Sequence, residues 1–411
     1  MSVIGRLVAL GVGPQQNPGE AILWTRPSKP RQRYRTVAVD VGRYEEMGQQ
    51  VALAAPQVLV LTHDDADHID GWAGMVSFGL GTLEQLWVPY EWGALVLALE
   101  DFFQRADDDE ADAASRMDAL MSSATVLDSR ESELENGAID AEIAWRAHEN
   151  AKSLAEELRV NDSLASRLGL HLKGLGRNPS QASDWRGTPA KVADRAVTRA
   201  VAITEIIAQA LEADVKARYF SVDHLAPTLP RPFWEHSGIR GTLTIANAVE
   251  VRLDRTGLVG LLSVGFALYL TIQNSRALCP VLWGSDGRNP AVLIWSDSGG
   301  DWAHELSGLE KLFRKISIST APHHGSTAPD HEPAWDALAV WRTREDLVVV
   351  LAGGEPSQKS ANPRYFERCP LGRRGCTKCR HGAGRRRGQH NVVASIGTDG
   401  LVELNLGGCR R

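Results

Sequence analysis

Between residues 58 and 74 the chain reads VLVLTHDDADHIDGWAG, and no other stretch restricts the fold as strongly. A run of apolar β-formers ends in His63, Asp64, Asp65, Asp67 and His68, five ionisable side chains within six positions. Charges at that density repel one another unless something positive sits among them. In extended backbone alternate side chains point the same way, so His63, Asp65 and Asp67 can face one point beyond the end of a strand. A helix beginning near Asp67 adds His68 from its first turn. Two imidazoles and two carboxylates converging on one point make a cation site, with donors enough for two cations. Asp64 and Asp70 read instead as helix-capping residues.

Around this cluster the texture changes twice. Residues 1–99 alternate β-like runs (RLVALGVG, EAILW, RTVAVDVG, VLVLT, QLWVPY) with glycine-rich turns. Residues 100–235 are dominated by stretches such as IDAEIAWRAHENAKSLAEEL and KVADRAVTRAVAITEIIAQALEADVKA, rich in Ala, Leu, Glu and Arg at helical spacing. Residues 236–411 return to strands: GTLTIANAVEVRL, FALYLTI, PAVLIWSDSG, KISISTAPHHGS, DLVVVLAGG and LVELNL. The pattern fits an α/β fold in which two half-sheets pack together under covering helices, with a helical insertion between the halves. The insertion could be a lid, a dimer interface or a surface for a protein partner.

Composition excludes some classes. A hydrophobic fraction of 43% and a charged fraction of 23% belong to a globular protein, and a net charge of -6 leaves no whole-molecule footprint of a nucleic-acid binder. The start of the chain lacks the charged-then-apolar pattern of a secretion signal. The uncharged stretch TGLVGLLSVGFALYLTIQ, residues 256–273, is shorter than the roughly 20 apolar residues of a spanning helix and reads as buried strand. A cytoplasmic, non-membrane protein is the expectation.

Several segments together resemble the metallo-β-lactamase superfamily. THDDADH is similar to its H-x-H-x-D-H motif, with Asp65 in place of the second histidine, a variant found in the hydrolase domain of ComEC-type DNA-uptake proteins. LGVGPQQNPGEAILW resembles that group's first strand pair, VAVDVG its Asp-bearing turn at Asp40, LIWSDSGGDW its segment with a metal-bridging aspartate at Asp297, and TAPHHGS its P-H-H-G-S segment with His323 and His324. The resemblance spans residues 7–74 and about 270–326. It departs at Ser296, where the family has glycine, and at Asn362, where it has histidine. No transmembrane bundle accompanies it, so the uptake-channel role does not carry over.

The resemblance implies an αββα sandwich and a metal-dependent hydrolase holding two divalent ions, zinc or manganese. Asp67, His68 and Asp297 would hold one ion. His63, Asp65 and one histidine of the 323–324 pair would hold the other, with Asp297 bridging. The sequence does not rank the two histidines; placing His323 on the metal leaves His324 and Ser326 to donate to the substrate. Asp65 and Asp67 would orient the attacking water. A carboxylate at 65 makes the site harder and more oxygen-rich, which moves its preference toward manganese and its chemistry toward phosphodiesters.

The chain has five cysteines. Cys279 reads as a buried thiol. Cys369, Cys376, Cys379 and His381, with His390 and Cys409 as other fourth ligands, form a candidate structural zinc site around a C-x-x-C pair. Within the same Cys/Arg-rich loop, 364–390, nine basic residues between 364 and 387 (Arg364, Arg368, Arg373, Arg374, Lys378, Arg380, Arg385, Arg386 and Arg387) suggest a clamp for nucleic-acid phosphates. Three functions follow: a nuclease or phosphodiesterase, a hydrolase of small esters or lactones, and a metal-stabilised binding or sensor module without catalysis.

Overall fold

The structure, a computed structural model, describes residues 3–11, 19–27, 34–108, 139–175, 187–222, 238–239, 241–253, 264–271, 276–285, 287, 290–305, 313–327, 331–340, 347–352, 362–368, 373–377 and 391–406. The chain divides into two compact units, Met1–Val88 with Phe220–Glu250 and Asn274–Arg411, and Pro89–Tyr219 with Val251–Gln273.

The strands form two sheets, mostly within the first unit. The strands run β1 (Val3–Ala9), β2 (Ile22–Thr25), β3 (Thr36–Val39), β4 (Val58–Val60), β5 (Gln85–Pro89), β6 (Lys216–Ser221), β7 (Gly238–Ile239) and β8 (Leu243–Ile245). They continue with β9 (Val249–Val251), β10 (Pro280–Trp283), β11 (Pro290–Leu293), β12 (Ile318–Thr320), β13 (Val348–Leu351), β14 (Arg374–Cys376), β15 (Val392–Gly397) and β16 (Val402–Leu406). One sheet has the order β16-β15-β1-β2-β3-β4-β5-β6-β9 and the other β14-β13-β12-β11-β10-β8-β7. Both are mixed: β3, β4 and β5 are parallel, as are β11 to β14, while the flanking pairs β1/β2, β2/β3, β8/β10 and β10/β11 are antiparallel.

The sheets face each other across one apolar core. Leu7, Trp24, Val37, Val39, Val58, Val60 and Trp87 from the first meet Leu243, Ile245, Leu282, Val292, Ile318 and Val350 from the second. Strand alternation sends Leu59 and Leu86, equally buried, to the opposite face of the first sheet. The β3–β4 and β4–β5 connections carry helices Glu45–Leu53 and Trp72–Phe78, and parallel neighbours need such crossovers. Those helices approach closely: a Cβ on Gly74 would stand 1.9 Å from the carbonyl oxygen of Glu45. The outer face of the second sheet buries Trp295, Phe313, Trp335, Tyr365 and Cys376 in a separate cluster, to which helix Glu332–Val340 contributes.

The second unit is mostly helical: Tyr90–Asp108, Ala141–Val160, Asp162–Leu175, Pro189–Glu212 and Val264–Thr271. Local chemistry starts two of these helices. Asp140 accepts the Ile143 N–H at 2.8 Å, and Thr188 caps a helix whose first residue is Pro189. Among the described residues no helix is long and apolar enough to cross a membrane.

Three local expectations are corrected. FALYLTI is helical over Val264–Thr271 rather than a strand; a short run that is apolar on every side has no period to tell the two apart. The arginine-rich loop contains a helix, Pro363–Arg368, and a strand, β14, which closes one edge of the second sheet. GTLTIANAVEVRL forms two short strands, β8 and β9, which belong to different sheets.

Candidate metal centre

Strand ends supply the site. The carboxyl end of β3 leads into Asp40, that of β4 into Thr62 and His63, that of β11 into Ser296 and Asp297, and that of β12 into His323 and His324. Asp65 is the extended residue before the short helix Ala66–Ile69, which carries Asp67 and His68. All of these residues belong to the first unit.

Asp297 lies at the middle. Its Oδ2 is 3.6 Å from His63 Nε2 and 3.2 Å from His323 Nε2. Its Oδ1 is 3.5 Å from His68 Nε2 and 3.4 Å from His324 Nε2. Asp65 Oδ2 lies 3.7 Å from His63 Nε2, and Asp67 Oδ2 lies 3.3 Å from His324 Nε2. The cluster thus has two halves that share one carboxylate, and the two histidines of the 323–324 pair fall on different halves.

Each imidazole is held from behind by its other nitrogen. His68 Nδ1 donates to Asp40 at 2.8 Å, and His324 Nδ1 donates to the Ala352 carbonyl at 2.8 Å while lying 3.2 Å from Glu20. The Thr62 hydroxyl must donate to the acceptor-only Asp40 carboxylate (2.9 Å), so it accepts from Ser296 Oγ (2.7 Å) and from His63 Nδ1 (3.1 Å). His323 Nδ1 contacts His331 Nε2. All four Nε2 atoms therefore face inward, and with Nδ1 donating, the neutral rings of His63, His68 and His324 keep a lone pair there.

That arrangement needs something positive inside it. His68 Nε2 and His324 Nε2 are 3.3 Å apart with both Nδ1 protons already committed, so two lone pairs face each other. His63 Nε2 is buried with no hydrogen-bond partner among the described residues. Donor separations of 3.3 to 3.7 Å across most of the cluster are long for charge-assisted hydrogen bonds, which run about 2.7–2.9 Å. They match the edge of about 3.4 Å between donors placed 2.0–2.2 Å from a common tetrahedral ion. The groups His63–His68–Asp297 and Glu20–His68–His324 could each hold a cation.

Without a cation, protons take its place. Burial and the neighbouring His68 push the His63 imidazole down, but Asp297 and Asp65 outweigh them and lift it to about 9. Burial lowers His68 and His324 too, yet Asp40 and Asp297 raise the first, and Asp297, Asp67 and Glu20 the second, well above the usual imidazole range. Burial pushes Asp65, Asp67 and Asp297 up, and the surrounding imidazoles more than reverse it, holding all three carboxyls low. His331, buried beside His323, is pushed down to about 4.

Backbone strain gathers at the same place. Asp40 (φ 57°), Ser296 (φ 50°), His323 (φ 42°) and His324 (φ 52°) all occupy the left-handed region. Each such residue costs of order 1 kcal/mol or more and persists where surrounding structure demands it. Ser296 thus sits in the conformation that glycine adopts freely, and uses its hydroxyl there. Asn362 does not reach the ring cluster: its Nδ2 donates to the Ser326 carbonyl at 3.1 Å and its Oδ1 accepts the Arg364 N–H at 2.9 Å. Ser326 is buried, and its own N–H closes the turn on the His323 carbonyl at 2.8 Å.

Sequence reasoning did not pick out Glu20, Thr62 or His331. Glu20 lay inside the quoted PGEAILW, unassigned because a lone glutamate ahead of a strand carries no pattern. Cys376 is buried on β14; Cys369, Cys379, His381, His390 and Cys409 lie outside the described residues. Of the nine basic residues, Arg364 pairs with Glu332 at 2.7 Å and with Asp336 at 2.5 Å, Arg373 donates to the Val402 carbonyl at 3.3 Å, and Arg374 is buried. Arg368 lies in the helix Pro363–Arg368, and the other five lie outside the described residues.

Compared with protein-family models, with curated proteins and with solved structures, the chain has no match.

Proposed function

We propose that this chain is a metal-dependent hydrolase of the metallo-β-lactamase fold that cleaves phosphodiesters. One observation carries the reading: four imidazoles turn Nε2 toward the two oxygens of a single buried carboxylate, Asp297, with each Nδ1 engaged elsewhere. The order of the motifs along the chain and the two facing mixed sheets support the family assignment.

His63, Asp65 and His323 would hold one cation and Asp67, His68 and His324 the other, with Asp297 between them. The cations would bring the pKa of water close to neutrality and offset charge on the attacked phosphoryl group. Asp65 and Asp67 are the carboxylates open to solvent, and they orient the water and accept its proton. Asp40, Thr62 and the Ala352 carbonyl keep the rings from turning away, so the donor set is in place before substrate arrives. Left-handed backbone at Asp40, Ser296, His323 and His324 argues against a purely structural cluster, since strain of that kind is kept where function needs it.

A second reading, hydrolysis of a small ester or lactone, is favoured by the arginines. Arg364, Arg373 and Arg374 are engaged within the fold and offer a weaker phosphate clamp than the sequence suggests. The deciding experiment is cleavage of single- and double-stranded DNA by the chelator-stripped protein after manganese, magnesium or zinc is added back. An Asp67→Ala/His68→Ala double variant serves as the control. Manganese-dependent cleavage that vanishes in the variant is expected. Bound metal without cleavage would move the substrate to small esters.

A further inference from the structure

The two halves of the cluster differ in what stands behind them. Behind His68 and His324 are carboxylates: Asp40 at 2.8 Å from His68 Nδ1 and Glu20 at 3.2 Å from His324 Nδ1. Behind His63 and His323 are neutral groups, the hydroxyls of Thr62 and Ser296 and the imidazole of His331. Exposure divides less evenly. His68, His324 and Asp67 side chains are 0%, 3% and 18% exposed, whereas His63, His323 and Asp65 are 3%, 27% and 40% exposed.

We propose that the centre loads in a fixed order, with one cation held tightly by Asp67, His68, His324 and Asp297 and a second, exchangeable one at His63, Asp65 and His323. Glu20 is the positioning residue that makes the first half the tight one. The inference rests on the two-cation reading above.

The backbone puts Glu20 there. Its N–H donates to the Asp67 carbonyl at 2.8 Å, tying the segment ahead of β2 to the helix that carries Asp67 and His68. Gly19 makes the approach possible: at φ 74° it runs so close that a Cβ would stand 2.0 Å from that same carbonyl oxygen. The Glu20 side chain is buried, and its Oε1 has no hydrogen-bond partner among the described residues. A buried carboxyl with unmet acceptors is costly, and the positive charge of a cation one ring away offsets that cost. A carboxylate behind a ligating imidazole fixes the ring and raises its basicity, and losing such a partner lowers metal affinity about 10- to 100-fold. The other half lacks this reinforcement, and two of its ligands, Asp65 and His323, must also be gathered from partly solvent-exposed positions. The chain therefore responds to free cation level through the Asp65 half alone.

The test is a titration of cobalt(II) into the chelator-stripped full-length protein, followed by visible absorbance and by calorimetry. Two steps are expected, separated by at least about tenfold. Glu20→Gln should weaken the first by about 10- to 100-fold and leave the second in place. Asp65→Asn should weaken only the second. Two equal steps, an unmoved first step in Glu20→Gln, or a first step lost in Asp65→Asn would each overturn the proposal. Should Glu20→Gln not fold, the wild-type titration and Asp65→Asn decide alone. No cobalt bound at all would instead sink the two-cation reading itself.

Discussion

Ser296 Oγ lies 2.7 Å from Thr62 Oγ1, joining the loop after β11 in one sheet to the end of β4 in the other. The bond supports His63 from behind and requires Ser296 to hold φ at 50°. Two opposing effects meet at this one residue. Ser296→Gly removes about 1 kcal/mol of strain and about 1 kcal/mol of hydrogen bond, for little net change. Ser296→Ala keeps the strain and loses the bond, at a cost of about 1–3 kcal/mol. Urea unfolding should rank wild type and glycine together and alanine below them. An alanine variant as stable as wild type would show that the hydroxyl contributes nothing, and one as stable as glycine that the strain is negligible.

The metal-free protein should have a stability optimum set by its imidazoles and carboxyls. His63 is raised from 6.5 to about 9, so its contribution is complete below about pH 6.5 and is lost as pH climbs through about 9. The loss is on the order of 3 kcal/mol. Asp65, Asp67 and Asp297 are held low, so their contribution is lost as pH falls below the ordinary carboxylate range. His331, depressed to about 4, must also take up a proton in acid. Because His331 is depressed from 6.5 to about 4, stability is already lost as pH falls through that window, so urea midpoints of stripped protein should peak near pH 6.5 and fall on both sides. A midpoint unchanged from pH 6.5 to 9 would contradict the alkaline limb.

Cation binding must displace the protons that occupy the centre, so affinity should rise with pH over the alkaline limb. Calorimetry in buffers of different ionisation enthalpy measures the protons released. Binding with no proton release at pH 7 would mean that the imidazoles are already neutral.

Gly19→Ala places a methyl group 2.0 Å from the Asp67 carbonyl oxygen and strains a backbone at φ 74°. A cost of about 2–4 kcal/mol is expected, along with weakened cation binding, because the Glu20–Asp67 bond moves with it. Wild-type stability in this variant, measured by urea unfolding, would show that the segment ahead of β2 adapts freely.

Asn362→Ala removes the donor to the Ser326 carbonyl and the acceptor for the Arg364 N–H that starts helix Pro363–Arg368. A loss of about 1–2 kcal/mol is expected. Asn362→His should not increase the number of cations bound, since the position faces the turn rather than the rings. An added equivalent of bound metal, read by elemental analysis, would contradict this placement.

The part of the site that lies in consecutive positions was legible in the sequence. His63, Asp65, Asp67 and His68 follow from a strand that ends and a helix that begins, both of which leave periodic marks. The paired HHGS histidines could be found but not divided, because their assignment to opposite oxygens of Asp297 depends on two successive left-handed residues, a backbone state with no pattern in side-chain chemistry. Glu20 was illegible for a related reason: it acts on His324 from another segment, at a distance set only by the tertiary fold, while Thr62 and His331 lie near the rings they hold but follow no side-chain pattern. The same limit explains the short strands β8, β9 and β14, whose pairing depends on their neighbours more than on their own residues.

The donors of the cluster hang from strands of both sheets, so a cation bound there acts as a clasp across the seam. Binding to the folded form alone stabilises it by about 4 kcal/mol once the cation stands at 1,000 times its dissociation constant. On that reading the form without cations would open more often and be the form a protease meets first. Cation supply would in this way govern how long each molecule survives as well as what it can do.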